Sequence, residues 1–133
     1  MTETDTGAAT ASATERYLEF WNAEPSKARR LAPEVFTDGV EYRSPAALMQ
    51  GAEALIDFRT QFVSHVGEAS FVARREPEGH NSRVRLLWEI RLADGTSFAT
   101  GTDVLSLTED GRIGSVSAFL DRAPEGFGDH EHA

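Results

Sequence analysis

Residues 97–121 read SFATGTDVLSLTEDGRIGSVSAFLD. Two runs of alternating apolar residues flank Glu109-Asp110-Gly111, where the glycine can take the positive φ that a tight turn asks for. The stretch therefore predicts a β-hairpin. Side chains alternate between the two faces of a strand. Ala99, Gly101, Asp103, Leu105 and Leu107 then share one face of the first arm, and Val116, Ala118 and Leu120 share one face of the second. Asp103 is the odd member, a carboxylate in an apolar row. An acid there is either a structural hydrogen-bonding group or part of a site, and both readings stand.

The segments before the hairpin extend the same pattern. Residues 83–92 predict a strand with Val84, Leu86, Trp88, Ile90 and Leu92 on one face. Arg83, Arg85, Glu89 and Arg91 lie on the other, with Leu87 the one apolar intruder. Residues 69–76 predict a further strand, turned by Glu78-Gly79-His80-Asn81. Residues 51–66 have helical periodicity in Leu55, Phe58, Phe62 and Val66, with Gly67 as a natural stop. His65 in the last turn suits the helix dipole. Asp38-Gly39 predicts a turn and 40–44 a short strand, on which Tyr42 and Ser44 share the apolar face. Pro25 opens a short helix over 26–31 that Pro33 stops or kinks. Ser12-Ala13-Thr14-Glu15 matches a capping box, and the helix it starts carries an aromatic stripe of Tyr17, Phe20 and Trp21. Three helices followed by an antiparallel meander predict an α+β architecture, the helices on one face of a strongly curved antiparallel sheet. The expected organisation is a disordered tail over 1–12, one domain over 13–121, and a flexible acidic tail over 122–133.

The 133 residues suit one domain with one core. The net charge is −9. Glu3 and Asp5 supply two of those negative charges and the segment after Asp121 a net two more, so the body holds about −5. An acidic surface repels phosphate backbones and anionic lipid, so neither nucleic acid nor a membrane is an expected partner. The chain has no cysteine, which excludes disulfides, thiolate metal sites and a cysteine nucleophile. Lys27 is the one lysine and sits in a polar segment, a poor setting for a Schiff base. His130-Glu131-His132 is too weak a cluster to assign a metal, and no Gly-rich phosphate loop is present. No cofactor and no metal are expected. With no signal peptide or membrane span visible, a cytoplasmic location is expected.

Several short motifs stand in a particular order. A first helix ends in Trp21-Asn22-Ala23. Next comes Phe36-Thr37-Asp38-Gly39-Val40-Glu41-Tyr42-Arg43-Ser44-Pro45, and Gly51 opens a helix. Gly101-Thr102-Asp103 then leads through Asp110-Gly111-Arg112-Ile113. This layout, over residues 14–121, resembles the nuclear transport factor 2-like fold, and within it the SnoaL-like polyketide cyclases and ketosteroid isomerases. The resemblance implies a cone in which sheet and helices enclose a mostly apolar pocket. In the ketosteroid isomerases a Tyr and a protonated Asp donate hydrogen bonds to a developing enolate oxygen. The resemblance puts Tyr17 and Asp103 in those two roles. It also implies a general-base Asp before a Pro, and here that place holds Ser44 before Pro45. A hydroxyl does not abstract a carbon acid's proton at neutral pH without a base of its own. The related limonene epoxide hydrolases use an Arg and two Asp around a water. Asp121 could stand for one of these, but the 83–92 strand offers only Leu86 and Trp88 at the positions of the others.

Two functional readings follow. In the first the protein is an isomerase, cyclase or dehydratase of an apolar oxygenated substrate, polyketide, steroid or terpenoid in kind. It acts through an enol or enolate held by Tyr17 and Asp103, with Ser44 positioning water or substrate. In the second it is a non-catalytic ligand-binding module or a dimeric interaction protein on the same fold. In either reading Trp21, Tyr42, Phe58, Phe62, Trp88, Val116, Ala118 and Leu120 are expected to line the pocket. A homodimer is expected through the outer sheet face. Asp103 is expected to be protonated at neutral pH, because its strand face is apolar.

Overall fold

The computed structural model describes residues 2–124, with side chains from residue 8 onward. The remainder of the expected acidic tail, with its His130-Glu131-His132 cluster, lies outside the described residues. Helices α1 (Thr2–Asn22), α2 (Pro25–Val35) and α3 (Ala52–Val66) accompany seven strands. These are β1 (Phe36–Arg43), β2 (Leu48–Gln50), β3 (Ala69–Ala73), β4 (Glu78–His80), β5 (Arg83–Leu92), β6 (Ser97–Leu107) and β7 (Ile113–Arg122). The strands form one open sheet in the order β2-β1-β7-β6-β5-β3, with β4 also paired to β5. This is an α+β fold.

The hairpin forms as its alternation predicts. On β6, Ala99, Gly101, Asp103 and Leu105 are buried and their neighbours are less so. Gly111 closes the turn at φ 86°. Pairing β5 with β6 and β6 with β7 aligns three rows on the inner face: Val84–Leu105–Val116, Leu86–Asp103–Ala118 and Trp88–Gly101–Leu120. The helices cover this face. Tyr17, Phe20 and Trp21 of α1 pack with Phe36 and Val40 of β1 and Leu55 of α3 in one cluster. Register breaks at Ile90/Arg91, Thr100/Gly101 and Ser106/Leu107 interrupt the ladders. Such bulges bend and twist a strand.

The sheet is mixed rather than antiparallel, because β1 runs parallel to β7. Nothing local in the sequence encodes that pairing. It forms because Phe36, Val40 and Tyr42 bury one face of β1 against the helices while the edge of β7 offers free backbone groups. The expected turn at Asp38-Gly39 is instead an irregular stretch inside β1, at the register shift between Phe36 and Glu41. The expected turn at 78–81 also moves. Residues 78–80 form β4, and Asn81 and Ser82, both at positive φ, make the two-residue turn into β5. Helix α2 continues past 31 and carries Pro33 inside it, because Ala28, Ala32 and Val35 bury one face.

The expected disordered segment 1–12 is another correction, since α1 begins at Thr2. Ser12 is then interior, and its hydroxyl accepts a 2.6 Å hydrogen bond from Arg16 Nη1 instead of capping. Ala8, Ala9, Ala11 and Ala13 allow the helix to extend, alanine being the best helix former. Burial fixes it in place. Thr10 is buried, and a Cβ built on Gly79 would collide with its side chain, so the glycine of β4 makes the room that α1 occupies. Among the described residues no helix is long and apolar enough to cross a membrane.

Candidate functional site

Asp103 has no exposed surface. A carboxylate in that position must be met by donors or lose its charge. Two donors meet it, from opposite layers of the fold. From α1 the Tyr17 hydroxyl donates to Oδ2 at 2.5 Å, and from β5 the Trp88 Nε1–H donates to Oδ1 at 2.7 Å. Tyr17 is also fully buried. Its ring stands edge-on to Trp21, Phe36 and Phe71, each at 6.2 Å between centroids.

The electrostatics follow from this burial. Desolvation pushes the Asp103 carboxyl from 3.8 up to about 6, while the hydrogen bonds from Tyr17 and Trp88 hold it down. Burial, followed by the charge on Asp103, raises the Tyr17 hydroxyl well above the usual phenol range. Tyr42 is raised by the same two causes in the same order, so both phenols remain donors. Asp103 is therefore shifted in the expected direction but not as far as protonation at neutral pH. At pH 7 it is mainly a carboxylate, because two donors favour the anion.

The backbone is shaped to let Trp88 reach. Trp88 pairs with Gly101, and its indole lies over the glycine toward Asp103, two residues further along the same face. A Cβ on Gly101 would overlap the Trp88 ring and the Phe119 carbonyl oxygen. From the outer side Arg74 fixes the same two residues. Its Nε donates to Trp88 O at 2.8 Å and its Nη2 to Gly101 O at 2.9 Å, and Nη2 also pairs with Asp121 Oδ2 at 2.7 Å. Asp121 accepts from Thr102 Oγ1 as well, which keeps this acid on the outer face.

The expected lining residues separate into two zones. Trp21, Tyr42, Trp88, Val116 and Ala118 are buried around the Tyr17–Asp103 pair. Phe58 of α3 and Leu120 of β7 are 40% and 41% exposed, at the open end of the inner face. Phe62 is partly buried there and stacks edge-on to Phe98 at 5.6 Å. Phe98 falls at the register break between Ile90 and Arg91. Ser44 is in neither zone. Carrying the register one residue past Arg43↔Ser117 sets it in the Asp103 row, two strands or about 10 Å away. Its hydroxyl accepts from Ala46 N at 3.2 Å and Ala47 N at 3.3 Å and donates to Ala47 O, which builds the turn into β2. His65 Nδ1 lies 2.8 Å from Gln61 O on the exposed side of α3. A polar depression lined by Arg75, Glu76, Glu78, Arg85 and Leu87 opens on the opposite sheet face.

The role of Trp88 as a partner of Asp103 was missed by sequence reasoning, which gave it a lining role only. The signal that could have found it is a glycine opposite a tryptophan, one alternation step from a buried acid. No three-acid or histidine cluster able to hold a metal occurs among the described residues.

Asp103→Asn gives a pH test with a definite sign. A carboxyl whose folded pKa is raised contributes stability below its unfolded pKa and loses it as pH rises through the folded value. Asparagine has no such dependence, and by donating to the Tyr17 oxygen it keeps both contacts. Measured by urea unfolding, the wild type is expected to lose on the order of 2 kcal/mol relative to Asp103→Asn between pH 4 and pH 7. A difference that stays flat, or that grows in favour of the wild type, contradicts the assignment.

No protein-family model matches the chain, and no curated protein matches it. Solved structures do. The chain is 29% identical to a candidate isomerase of the SnoaL-like family from Agrobacterium tumefaciens, with a TM-score of 0.79 over 86% of this chain and 98% of that one. A nuclear transport factor 2-like protein of unknown function from Exiguobacterium is 21% identical, with a TM-score of 0.64 over 82% of this chain and 98% of that one. A candidate polyketide cyclase from Sinorhizobium meliloti is 17% identical, with a TM-score of 0.60 over 80% of this chain and 93% of that one. The latter two are likenesses of fold, and the first extends to sequence. The chain has the nuclear transport factor 2-like fold, and its likeness in sequence as well as in structure is to the SnoaL-like branch.

Proposed function

We propose that the protein binds a small, largely apolar, oxygenated molecule between α1, α3 and the inner sheet face, in the cytoplasm, and converts it as an isomerase, cyclase or dehydratase through an enol or enolate. Polyketide, steroid and terpenoid skeletons are the substrate class. The observation that carries this reading is the 2.5 Å bond between Tyr17 and the fully buried Asp103. While Asp103 is an anion it accepts the only hydrogen bond that the Tyr17 hydroxyl can donate. One added proton turns the pair into a chain. The Asp103 O–H then donates to the Tyr17 oxygen, and the Tyr17 O–H is released to the ligand oxygen on which negative charge develops. Trp88 holds the other carboxyl oxygen in both states. The likeness to a candidate isomerase and a candidate polyketide cyclase supports the reaction class.

The second reading is a ligand-binding module without turnover. It draws on Ser44, which stands where the resemblance would put the base and whose hydroxyl is engaged in its own turn. Proton exchange at the α-carbon of 2-tetralone in heavy water, followed by NMR, separates the two. The enzyme reading expects exchange above the buffer rate that declines as pH rises through about 6, where Asp103 loses its proton. It also expects Tyr17→Phe to lower the rate by about 10²- to 10³-fold. Binding of 2-tetralone without exchange above the buffer rate would establish the module instead.

Two copies are proposed to pair through the outer sheet face. Leu87, Val104 and the 56% exposed Phe119 lie together there among Arg85, Glu89 and Arg91. Sedimentation at micromolar concentration is expected to give a dimer that Phe119→Asp converts to monomers. A monomeric wild type removes the proposal.

A further inference from the structure

We propose that the Trp21 indole N–H and the Tyr42 hydroxyl form a second donor pair beside Asp103, one that binds a neutral carbonyl-type oxygen of the ligand. This deepens the pocket reading above and rests on it. Trp21 is 8% exposed, its Nε1 is fully covered, and it completes no hydrogen bond among the described residues, although it lies beside the Tyr17 hydroxyl and opposes the rise of that group's pKa. A buried N–H without a partner is rare and is explained by strain, an ordered water or a bound group. The indole sits where a bound group would be read. It is edge-on to Tyr17 at 6.2 Å, to Tyr42 at 5.8 Å and to Phe58 at 6.4 Å. Phe58 is itself 40% exposed, so solvent comes within one ring of the unpaired donor.

The chemistry around the donor selects what it accepts. Tyr42 arrives from β1 and Trp21 from α1, and their rings stand edge-on with centroids 5.8 Å apart. Both stand close to Asp103 and Tyr17, whose oxygens already receive or give one proton between them. Among the described residues no lysine or arginine hydrogen-bonds into this cluster. Arg59, the nearest cation on α3, is turned to the Trp21 main-chain oxygen. A carboxylate or phosphate bound here would face the Asp103 charge with no cation to offset it. A ketone, ester or amide oxygen accepts both hydrogen bonds and adds no charge. The subsite thus favours ligands whose leading polar group is a neutral carbonyl, and it does so even when Tyr17 is engaged by Asp103.

The chain has two tryptophans, so its indole N–H spectrum has two signals, which Trp21→Phe or Trp88→Phe assigns. Three probes of one shape are titrated at pH 7.5: 2-acetylnaphthalene, 2-naphthoate and 2-ethylnaphthalene. The ketone is expected to move the Trp21 indole proton downfield and leave that of Trp88 in place. It is expected to bind at least tenfold more tightly than the carboxylate. Trp21→Phe is expected to weaken the ketone about tenfold, the worth of one hydrogen bond, without weakening 2-ethylnaphthalene. Saturation with the ketone and an unmoved Trp21 signal overturns the subsite and leaves the pocket reading standing. Naphthoate binding as tightly as the ketone does the same. Failure of all three probes to bind at millimolar concentration overturns the pocket reading and the subsite together. The wild-type shift decides the matter even if Trp21→Phe does not fold.

Discussion

A carboxyl group with no contact to water can keep its charge only if the protein supplies the hydrogen bonds that water would have given. Asp103 is that group, and much of the architecture reads as the means of supplying them. One donor, Tyr17, comes from a helix and the other, Trp88, from the neighbouring strand. The helix layer and the sheet are thus joined at one fully buried point. Removing either donor would leave a buried oxygen unpaired, which costs about 1–3 kcal/mol and more for a charged group.

The reach of Trp88 imposes further conditions. It needs a bare backbone at Gly101, a ladder that sets Trp88 opposite that glycine, and something to hold the two strands there. Arg74 does the last of these from the outer face, by binding both main-chain oxygens just where β3 has ended. The register break at Thr100/Gly101 falls at the same place. A bulge beside a site re-aims side chains. Here the inner and outer faces are therefore coupled through two carbonyl groups. The Arg74–Asp121 pair is partly exposed and worth little as a salt bridge. Its main-chain contacts matter more.

Features that rest on local periodicity were legible in the sequence. The alternation from Ala99 to Leu107 and from Val84 to Leu92 put the right residues inward. The odd carboxylate in the β6 row was visible for the same reason. The parallel pairing of β1 with β7 was not legible, because its partners are some seventy residues apart and no turn links them. Nor was the start of α1, where a polar Thr/Ala segment is held by one long-range fit, Thr10 against Gly79. In the site, the pairing of Tyr17 with Asp103 came from resemblance. The direction of its proton came only from seeing that Asp103 has two donors. Ser44 reads as a site residue along the chain because it precedes Pro45, and only the turn hydrogen bonds reveal its other occupation.

The account depends on one titration. A carboxyl shifted by burial and restrained by two donors stands between the solvent-exposed and the fully protonated cases, and its proton decides whether Tyr17 faces inward to Asp103 or outward to a ligand. Carbon-13 NMR of the Asp103 side-chain carboxyl, assigned with Asp103→Asn and followed from pH 3 to pH 9, measures this directly. The account predicts a midpoint near 6. A midpoint at or below 3.8 would show an ordinary ionised structural acid and would contradict it.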